Sequence, residues 1–107
     1  MSNSVVVTGA NFETEVLQSP VPVLLQFGAS WCASCKMLWP VVEQVAEEYA
    51  GKLKAAKVSI EEDEDLANRH NITTLPTLVV YKNGKIVNQA TGGLPKQTVY
   101  ALFKDLL

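Results

Sequence analysis

The chain has 107 residues, a length typical of one domain with one hydrophobic core. Hydrophobic residues make up 48% of it and charged residues 19%, a balance that excludes an intrinsically disordered chain. The net charge of −2 excludes the basic surface that a nucleic-acid backbone requires. No apolar run approaches the roughly 20 residues that span a bilayer, and residues 1–9 lack the features of a signal peptide. We therefore expect a monomeric cytoplasmic protein, one domain over residues 1–107, without nucleic-acid or membrane partners.

The first third of the chain alternates short apolar runs with a helical pattern. Residues 5–7 are β-branched and predict a first strand. Phe12, Val16 and Leu17 follow at helical spacing, with Asn11 as the expected N-cap. Residues 23–27 then form a continuous and mostly apolar run, which is typical of a buried central strand.

A long amphipathic helix is predicted over residues 35–49, with Pro40 inside it. Residues 53–60 read as another strand. The acidic run at 61–65 is typical of the solvated start of a helix, because the helix dipole favours negative charge there. His70 ends that helix, where the dipole favours its cation.

The last third of the chain predicts a hairpin and a final helix. Residues 78–81 and 86–90 are strands on either side of Asn83-Gly84, a strong signal for a two-residue turn. Pro95 opens a helix whose apolar stripe includes Val99 and Phe103. The order of all elements predicts an α/β fold, with a mixed sheet of about five strands and about four helices on its two faces.

Cys32 and Cys35 are the only cysteines, and they lie where the buried strand ends and the long helix begins. Residues at this spacing in the first turn of a helix can close a disulfide. The unpaired N–H groups and the positive end of the helix dipole favour a thiolate at Cys32. Burial favours the neutral thiol at Cys35. The pattern therefore predicts a redox pair in which one cysteine attacks and the other resolves.

Two other roles for the cysteine pair stay open on the sequence alone. Zinc needs about four ligands, so a second chain or a carboxylate would have to complete a site built on two cysteines and the single histidine. The cysteines could also be small buried hydrophobic residues. The strand–loop–helix context favours the redox pair, and we expect no metal.

Several short segments, taken in their order and spacing, carry a resemblance to one family. They are Phe12, residues 23–27, Trp31-Cys32-Ala33-Ser34-Cys35-Lys36-Met37, Pro40, Lys57, Leu75-Pro76-Thr77, Lys82-Asn83-Gly84 and Gly92. In these segments the chain resembles thioredoxin over essentially its whole length. The resemblance implies the thioredoxin fold and the activity of a protein-disulfide reductase.

The resemblance also implies roles for individual residues. Cys32 attacks a disulfide of a target protein, and Cys35 resolves the mixed disulfide that results. A thioredoxin reductase supplies the electrons, so the protein itself needs no cofactor. A cis peptide bond before Pro76 leaves the backbone of Leu75 free to pair with an extended target segment. The target docks on a shallow apolar surface lined by Trp31, Leu75, Pro76 and Gly92.

Three positions depart from the thioredoxin pattern and bear on redox tuning. Ala33-Ser34 stands between the cysteines in place of Gly-Pro, which returns an N–H donor, adds a hydroxyl and could make the protein less reducing. Gln26 replaces a buried aspartate that is thought to take the proton of the second cysteine, and an amide is no base near neutral pH. Gly28 replaces an aromatic residue, and we expect it to loosen the strand end. Lys57 is expected near Gln26, either as a tuning residue or as an ordinary strand lysine with its amine in water.

Three functions remain open from these residues. The first is a general protein-disulfide reductase, and the second is a divergent thioredoxin with few targets and weaker reducing power. The third is a binding or scaffold subunit that uses the same docking face without redox chemistry. The intact cysteine pair favours the first two functions. We also expect Trp31 at the docking surface and Trp39 packed in the core.

Overall fold

Five strands form one sheet in the computed structural model, which describes residues 4–107 of the chain. The first three strands in space are parallel, and the last two are each antiparallel to their neighbour. The spatial order is β1-β3-β2-β4-β5, where the strands are β1 (Ser4–Val6), β2 (Val23–Gly28), β3 (Lys54–Ser59), β4 (Thr77–Lys82) and β5 (Lys85–Thr91). The apolar run that predicted a central strand is β2, in the middle of the sheet.

Helices cover the two faces of this sheet. The helical segments are a five-residue turn at Glu13–Leu17, α1 (Ala33–Glu48), α2 (Glu64–Arg69), α3 (Lys96–Phe103) and a 3₁₀ turn at Lys104–Leu106. This order confirms the α/β class and the strand and helix sequence predicted from the chain. Among residues 4–107, no helix is both long enough and apolar enough to cross a bilayer. Residues 1–3, part of the segment considered for a signal peptide, lie outside the described residues.

The hydrophobic core has two layers, one on each face of the sheet. Leu25 and Phe27 of β2 face the first helical turn and α2, where Leu66 covers them. Leu24 faces α1 and α3 together with Leu78. Full burial of each such side chain contributes about 1.5–3 kcal/mol to stability. Because side chains alternate along a strand, Gln26 and Gly28 share the α1 face with Leu24.

Turn and cap residues explain where several elements begin and end. Asn83 and Gly84 have φ values of 53° and 78°, the left-handed conformations that a tight hairpin between β4 and β5 needs. Asn71 also has a positive φ, 55°, just after α2. The side chain of Asp63 accepts the N–H of Leu66 and caps α2, so the acidic run does begin a helix.

Two local expectations are wrong. Asn11 does not cap the first helical turn, because its side chain accepts the N–H of Thr8 and donates to the carbonyl of Val6 in the preceding turn. Gly28 does not loosen the strand end, since it pairs in register with Ser59 and its carbonyl accepts the N–H of Ile60 at 2.9 Å.

The prediction that His70 is held as a cation is also wrong. The imidazole follows α2 but points into the first core layer, where its ring packs against Phe27 and Phe12. Nδ1 lies 2.8 Å from the carbonyl oxygen of Leu66, and Nε2 lies 2.6 Å from the hydroxyl of Tyr81. Burial lowers the pKa of His70 below its ordinary value, so the neutral ring is favoured over the cation.

Candidate active site

The two cysteines meet at the start of α1. Cys32 is the residue just before the helix and Cys35 lies in its first turn, with 5.3 Å between their Cα atoms and a disulfide between their sulfurs. The Sγ atom of Cys32 accepts the backbone N–H of Cys35 at 3.2 Å. The hydroxyl oxygen of Ser34 lies 3.7 Å from the same sulfur. Two polar groups therefore surround the sulfur of Cys32.

Solvent exposure does not distinguish the two cysteines in this oxidised form. Cys32 is 6% exposed and Cys35 is 4% exposed. Both pack with Ala29, and Ile60 and Leu75 lie against this small cluster. The two sulfurs differ instead in their surroundings, because the two polar groups described above lie at Cys32 Sγ. Hydrogen-bond donors stabilise a thiolate more than a thiol.

A carboxylate from the β3–α2 connection holds the loop that leads into Cys32. Glu61 accepts the backbone N–H of Ser30 at 2.6 Å and its hydroxyl at 3.0 Å. These hydrogen bonds, the backbone one first, lower the pKa of Glu61 below its ordinary value. The N–H of Cys32 in turn donates to the carbonyl of Ala29 at 3.2 Å. Sequence reasoning missed this contact, because 31 positions separate its partners and no local pattern marks such a pair.

The residues expected to dock a target lie around the cysteine cluster. Trp31 adjoins Cys32 and is 69% exposed. Leu75 packs against the cysteines, and the peptide bond between it and Pro76 is cis, as expected. The carbonyl of Pro76 accepts the N–H of Gly92 at 2.8 Å. The described structure therefore brings Leu75, Pro76 and Gly92 together beside the disulfide.

Gln26 lies beneath Cys35, on the α1 face of β2. Its Nε2 donates to the backbone carbonyl of Cys35 at 3.1 Å, and the residue is 3% exposed. Its Oε1 is buried and has no hydrogen-bond partner among residues 4–107. Lys57 pairs in register with Gln26 across β2 and β3, as predicted, and its amine lies 4.9 Å from the centre of the Trp39 ring. Trp39 is half-buried and packs against the core layer under α1, also as predicted.

Comparison with known proteins then identifies the family. The thioredoxin family model matches residues 3–105. The chain belongs to the thioredoxin family.

Named thioredoxins from several bacteria share much of the sequence. Thioredoxin 1 of Nostoc sp. is 42% identical over 99 residues, which cover 92% of each chain. The thioredoxin of Chlorobaculum thiosulfatiphilum is 45% identical over 92 residues, 86% of this chain and 85% of its own. The thioredoxin of Synechocystis sp. is 36% identical over 107 residues, the full length of both chains.

Thioredoxin family membership and the cysteine pair together define the chemistry. A thioredoxin fold with two cysteines at disulfide distance makes this protein a thiol–disulfide oxidoreductase of the protein-disulfide reductase type. Among the described residues, no group of three or more His, Cys, Asp or Glu side chains is arranged to hold a metal ion.

Proposed function

We propose that this thioredoxin reduces disulfides in target proteins, with Cys32 as the attacking cysteine and Cys35 as the resolving cysteine. The observation that carries the assignment is the hydrogen bonding at the start of α1. The sulfur of Cys32 faces the N–H of Cys35 and the hydroxyl of Ser34. Among residues 4–107, no hydrogen bond to the Cys35 sulfur is present. Negative charge is therefore more stable on Cys32.

The exchange passes two electrons from the protein to its target. The Cys32 thiolate attacks one sulfur of the target disulfide, forms a mixed disulfide and releases the other target sulfur as a thiolate. Cys35 then loses its proton, and its thiolate attacks the Cys32 sulfur. The Cys32–Cys35 disulfide forms, and the second target sulfur leaves as a thiolate. Both target thiolates take protons from the solvent.

An apolar surface around the disulfide is proposed to receive the target. It consists of Trp31, Leu75, Pro76 and Gly92, hereafter the docking surface. The exposed indole of Trp31 supports this role, because large exposed aromatic rings are common at binding surfaces. The backbone groups of Leu75 have no hydrogen-bond partner among residues 4–107, which leaves them free to pair with an extended segment.

Four residues are proposed to tune the redox pair. Ser34 stabilises the Cys32 thiolate through its hydroxyl, and Ala33-Ser34, in place of Gly-Pro, leaves an N–H donor at position 34 in the first turn. Both effects favour the dithiol over the disulfide. Gln26 and Lys57 set the polarity beneath Cys35. Equilibration with glutathione buffers tests this tuning, and we expect Ser34→Pro to shift the equilibrium toward the disulfide.

A thioredoxin reductase is the proposed electron donor, and the cytoplasm is the proposed compartment. The two cysteines form the redox pair and none remains for a structural disulfide, a usage typical of reducing compartments. The protein is proposed to act as a monomer. Size-exclusion chromatography with light scattering tests the oligomeric state, and cell fractionation tests the compartment.

Coupled turnover tests the proposed function. We expect the protein to oxidise NADPH in the presence of a thioredoxin reductase and a protein disulfide, with protein thiols appearing in step. The variant with both Cys32→Ser and Cys35→Ser should show none of this turnover. If that variant retained the cellular role of the protein, the protein would act as a scaffold and the redox proposal would be wrong.

A further inference from the structure

A cleft of about 440 Å³ reaches Cys35 from the side of the sheet that α1 covers. Its floor includes a row of side chains across three strands, because Val6 pairs in register with Lys57 and Lys57 with Gln26. Trp39 and Cys35 of α1 line the opposite wall. Val6 is 54% exposed and lies at the edge strand, so this end of the cleft opens to solvent.

Gly28 opens the inner end of this cleft beside Cys35. A Cβ atom at position 28 would lie 3.2 Å from the Cβ and 3.3 Å from the Sγ of Cys35, and 3.7 Å from Nε2 of Gln26. Any side chain at this position would therefore occupy the space next to the sulfur. With glycine there, the cleft extends to Cys35 and Gln26.

The amide of Gln26 provides a polar group at the inner end of the cleft. Its Nε2 donates a hydrogen bond to the carbonyl of Cys35, whereas its Oε1 is buried and has no hydrogen-bond partner among residues 4–107. Leaving a buried acceptor without a hydrogen bond costs about 1–3 kcal/mol. The lining of the cleft is mostly apolar, with polar side chains at Gln26, Lys57 and Ser59 among others. A cleft of this volume has room for water, which needs about 30 Å³ per molecule as a liquid.

We propose that water enters this cleft, binds Oε1 of Gln26 and carries the proton of Cys35 to the solvent. Gln26 acts as a positioning residue for that water, and Gly28 keeps the path open. The inference rests on the proposed role of Cys35 as the resolving cysteine. The proton acceptor is hydroxide or a small base from the solvent, instead of a side chain of the protein.

The step balances in protons and electrons. The thiol of Cys35 gives its proton to the water on Gln26 while that water passes a proton to hydroxide at the solvent end of the cleft, and the hydroxide becomes water. The Cys35 thiolate then attacks the Cys32 sulfur, the bond from Cys32 to the target breaks, and the target sulfur leaves with the electron pair. The released target thiolate takes a proton from the solvent outside the cleft.

Three charged side chains line the cleft and need to be considered as alternatives. The ammonium groups of Lys36 and Lys57 donate hydrogen bonds and cannot accept a proton. Glu62 is exposed and carries a carboxylate, so it is the one lining residue that could act as a base. A Glu62→Gln variant separates this role from that of solvent.

Access through the cleft can be measured without any redox turnover. In the reduced Cys32→Ser variant, Cys35 is the sole thiol, and its alkylation by iodoacetamide reports access to its sulfur. We expect Val6→Trp in this background to slow alkylation by about 3- to 10-fold, because access limits the reaction of a buried thiol. Val6→Phe should slow it less. Val87→Trp, at another exposed valine outside the cleft, should leave the rate unchanged. Equal rates in all these variants would overturn the proposed path.

The resolution step is measured by stopped flow with an aromatic disulfide, which releases one chromophore on attack and a second on resolution. We expect the resolution rate to rise about tenfold per pH unit through neutrality, because it follows the thiolate fraction of Cys35. Val6→Trp should slow resolution without changing attack, and Glu62→Gln should change neither. A plateau near neutral pH, or a slow Glu62→Gln variant, would assign the proton to a protein base and overturn the proposal.

If Cys35→Ser releases both chromophores as fast as the native protein, the proposed function itself fails, whereas the alkylation rates still report on the cleft.

Discussion

Gln26 is the residue at which the chemistry beneath the redox pair departs most from the pattern that the chain resembles. Its amide donates to the backbone carbonyl of Cys35 and carries no charge at neutral pH. A carboxylate at this site would lose that donated hydrogen bond and would bury a charge. The same carboxylate could accept a proton from Cys35 directly. A carboxylate at position 26 would therefore lower the stability of the fold and raise the rate of resolution.

We predict that Gln26→Asp lowers the free energy of unfolding by about 1–3 kcal/mol at neutral pH, the cost of an imperfectly satisfied buried polar group. It should also speed resolution of the mixed disulfide, most visibly below about pH 8, where few Cys35 thiols ionise unaided. Denaturant unfolding and stopped-flow kinetics measure the two effects. Gln26→Asn is the matched control, because it has the length of aspartate without the charge. An aspartate variant that is more stable and no faster than the asparagine variant would contradict this prediction.

His70 gives a second residue-level prediction, for which the chain offers a clean probe because it has a single histidine. Burial lowers the pKa of the ring, the charge of Arg69 lowers it further, and the hydrogen bond to Leu66 partly opposes them. A depressed folded-state pKa means that the unfolded chain binds the proton more readily. The stabilising contribution is therefore present above the ordinary value of 6.5 and is lost as the pH falls through the folded-state pKa.

We predict that the imidazole of His70 titrates in the folded protein with a midpoint below pH 6.5, as measured by NMR. The free energy of unfolding should also decrease as the pH falls below that value. His70→Phe should lose this pH dependence in the same window. A midpoint above 6.5 would show that the ring is held as a cation, as its position after α2 alone suggests.

At the scale of elements, the active-site loop depends on a contact between two connections. Glu61 lies in the connection between β3 and α2. Its carboxylate accepts hydrogen bonds from the backbone N–H and the hydroxyl of Ser30, which lies between β2 and α1. Because these hydrogen bonds lower the pKa of Glu61, the contact with Ser30 is fully present at pH values above the ordinary pKa of a glutamate carboxyl. It is lost as the pH falls through the folded-state pKa.

We predict that Glu61→Ala exposes the backbone N–H of Ser30 and accelerates its hydrogen exchange at neutral pH. The rate of disulfide reduction should fall as well, because the loop positions Cys32. Native-state exchange measured by NMR gives the first effect, and Glu47→Ala, at an exposed position of α1, is the control. Unchanged exchange at Ser30 would show that the loop holds its conformation without the carboxylate.

Apolar runs predicted β2 and β4, and apolar stripes predicted α1 and α3, because these elements bury one face or both. β5 is mostly exposed and was predicted from the hairpin signal, whereas α2 was predicted from the acidic run at its start. The Asn83-Gly84 turn was equally readable, since the positive φ values it needs restrict the residue types. Asn11 was misassigned, because its side chain has two local uses and the sequence does not show which one prevails. The contacts of Glu61 and His70 depend on the packing of distant segments, so no local pattern reveals them.

At the scale of the whole molecule, two different surfaces meet the cysteine pair. The cis loop at Leu75–Pro76 and Gly92 belongs to the proposed docking surface beside the cysteines. The cleft along the β1–β3–β2 row reaches Cys35 and shares no lining residue with that surface. The proposed target binding and proton release therefore use different residues around one sulfur pair. The spacing of the cysteines predicted the redox pair. The cleft could not be predicted from the sequence, because it depends on the register of three strands.

The division of labour between the two cysteines is the central claim, and mass spectrometry of single-cysteine variants tests it most directly. Reduced Cys35→Ser, exposed to a protein disulfide, should accumulate a mixed disulfide through Cys32, because the attack proceeds and resolution is blocked. Reduced Cys32→Ser should carry little or no adduct under the same conditions. An adduct on Cys32→Ser and none on Cys35→Ser would reverse the two roles and contradict the account.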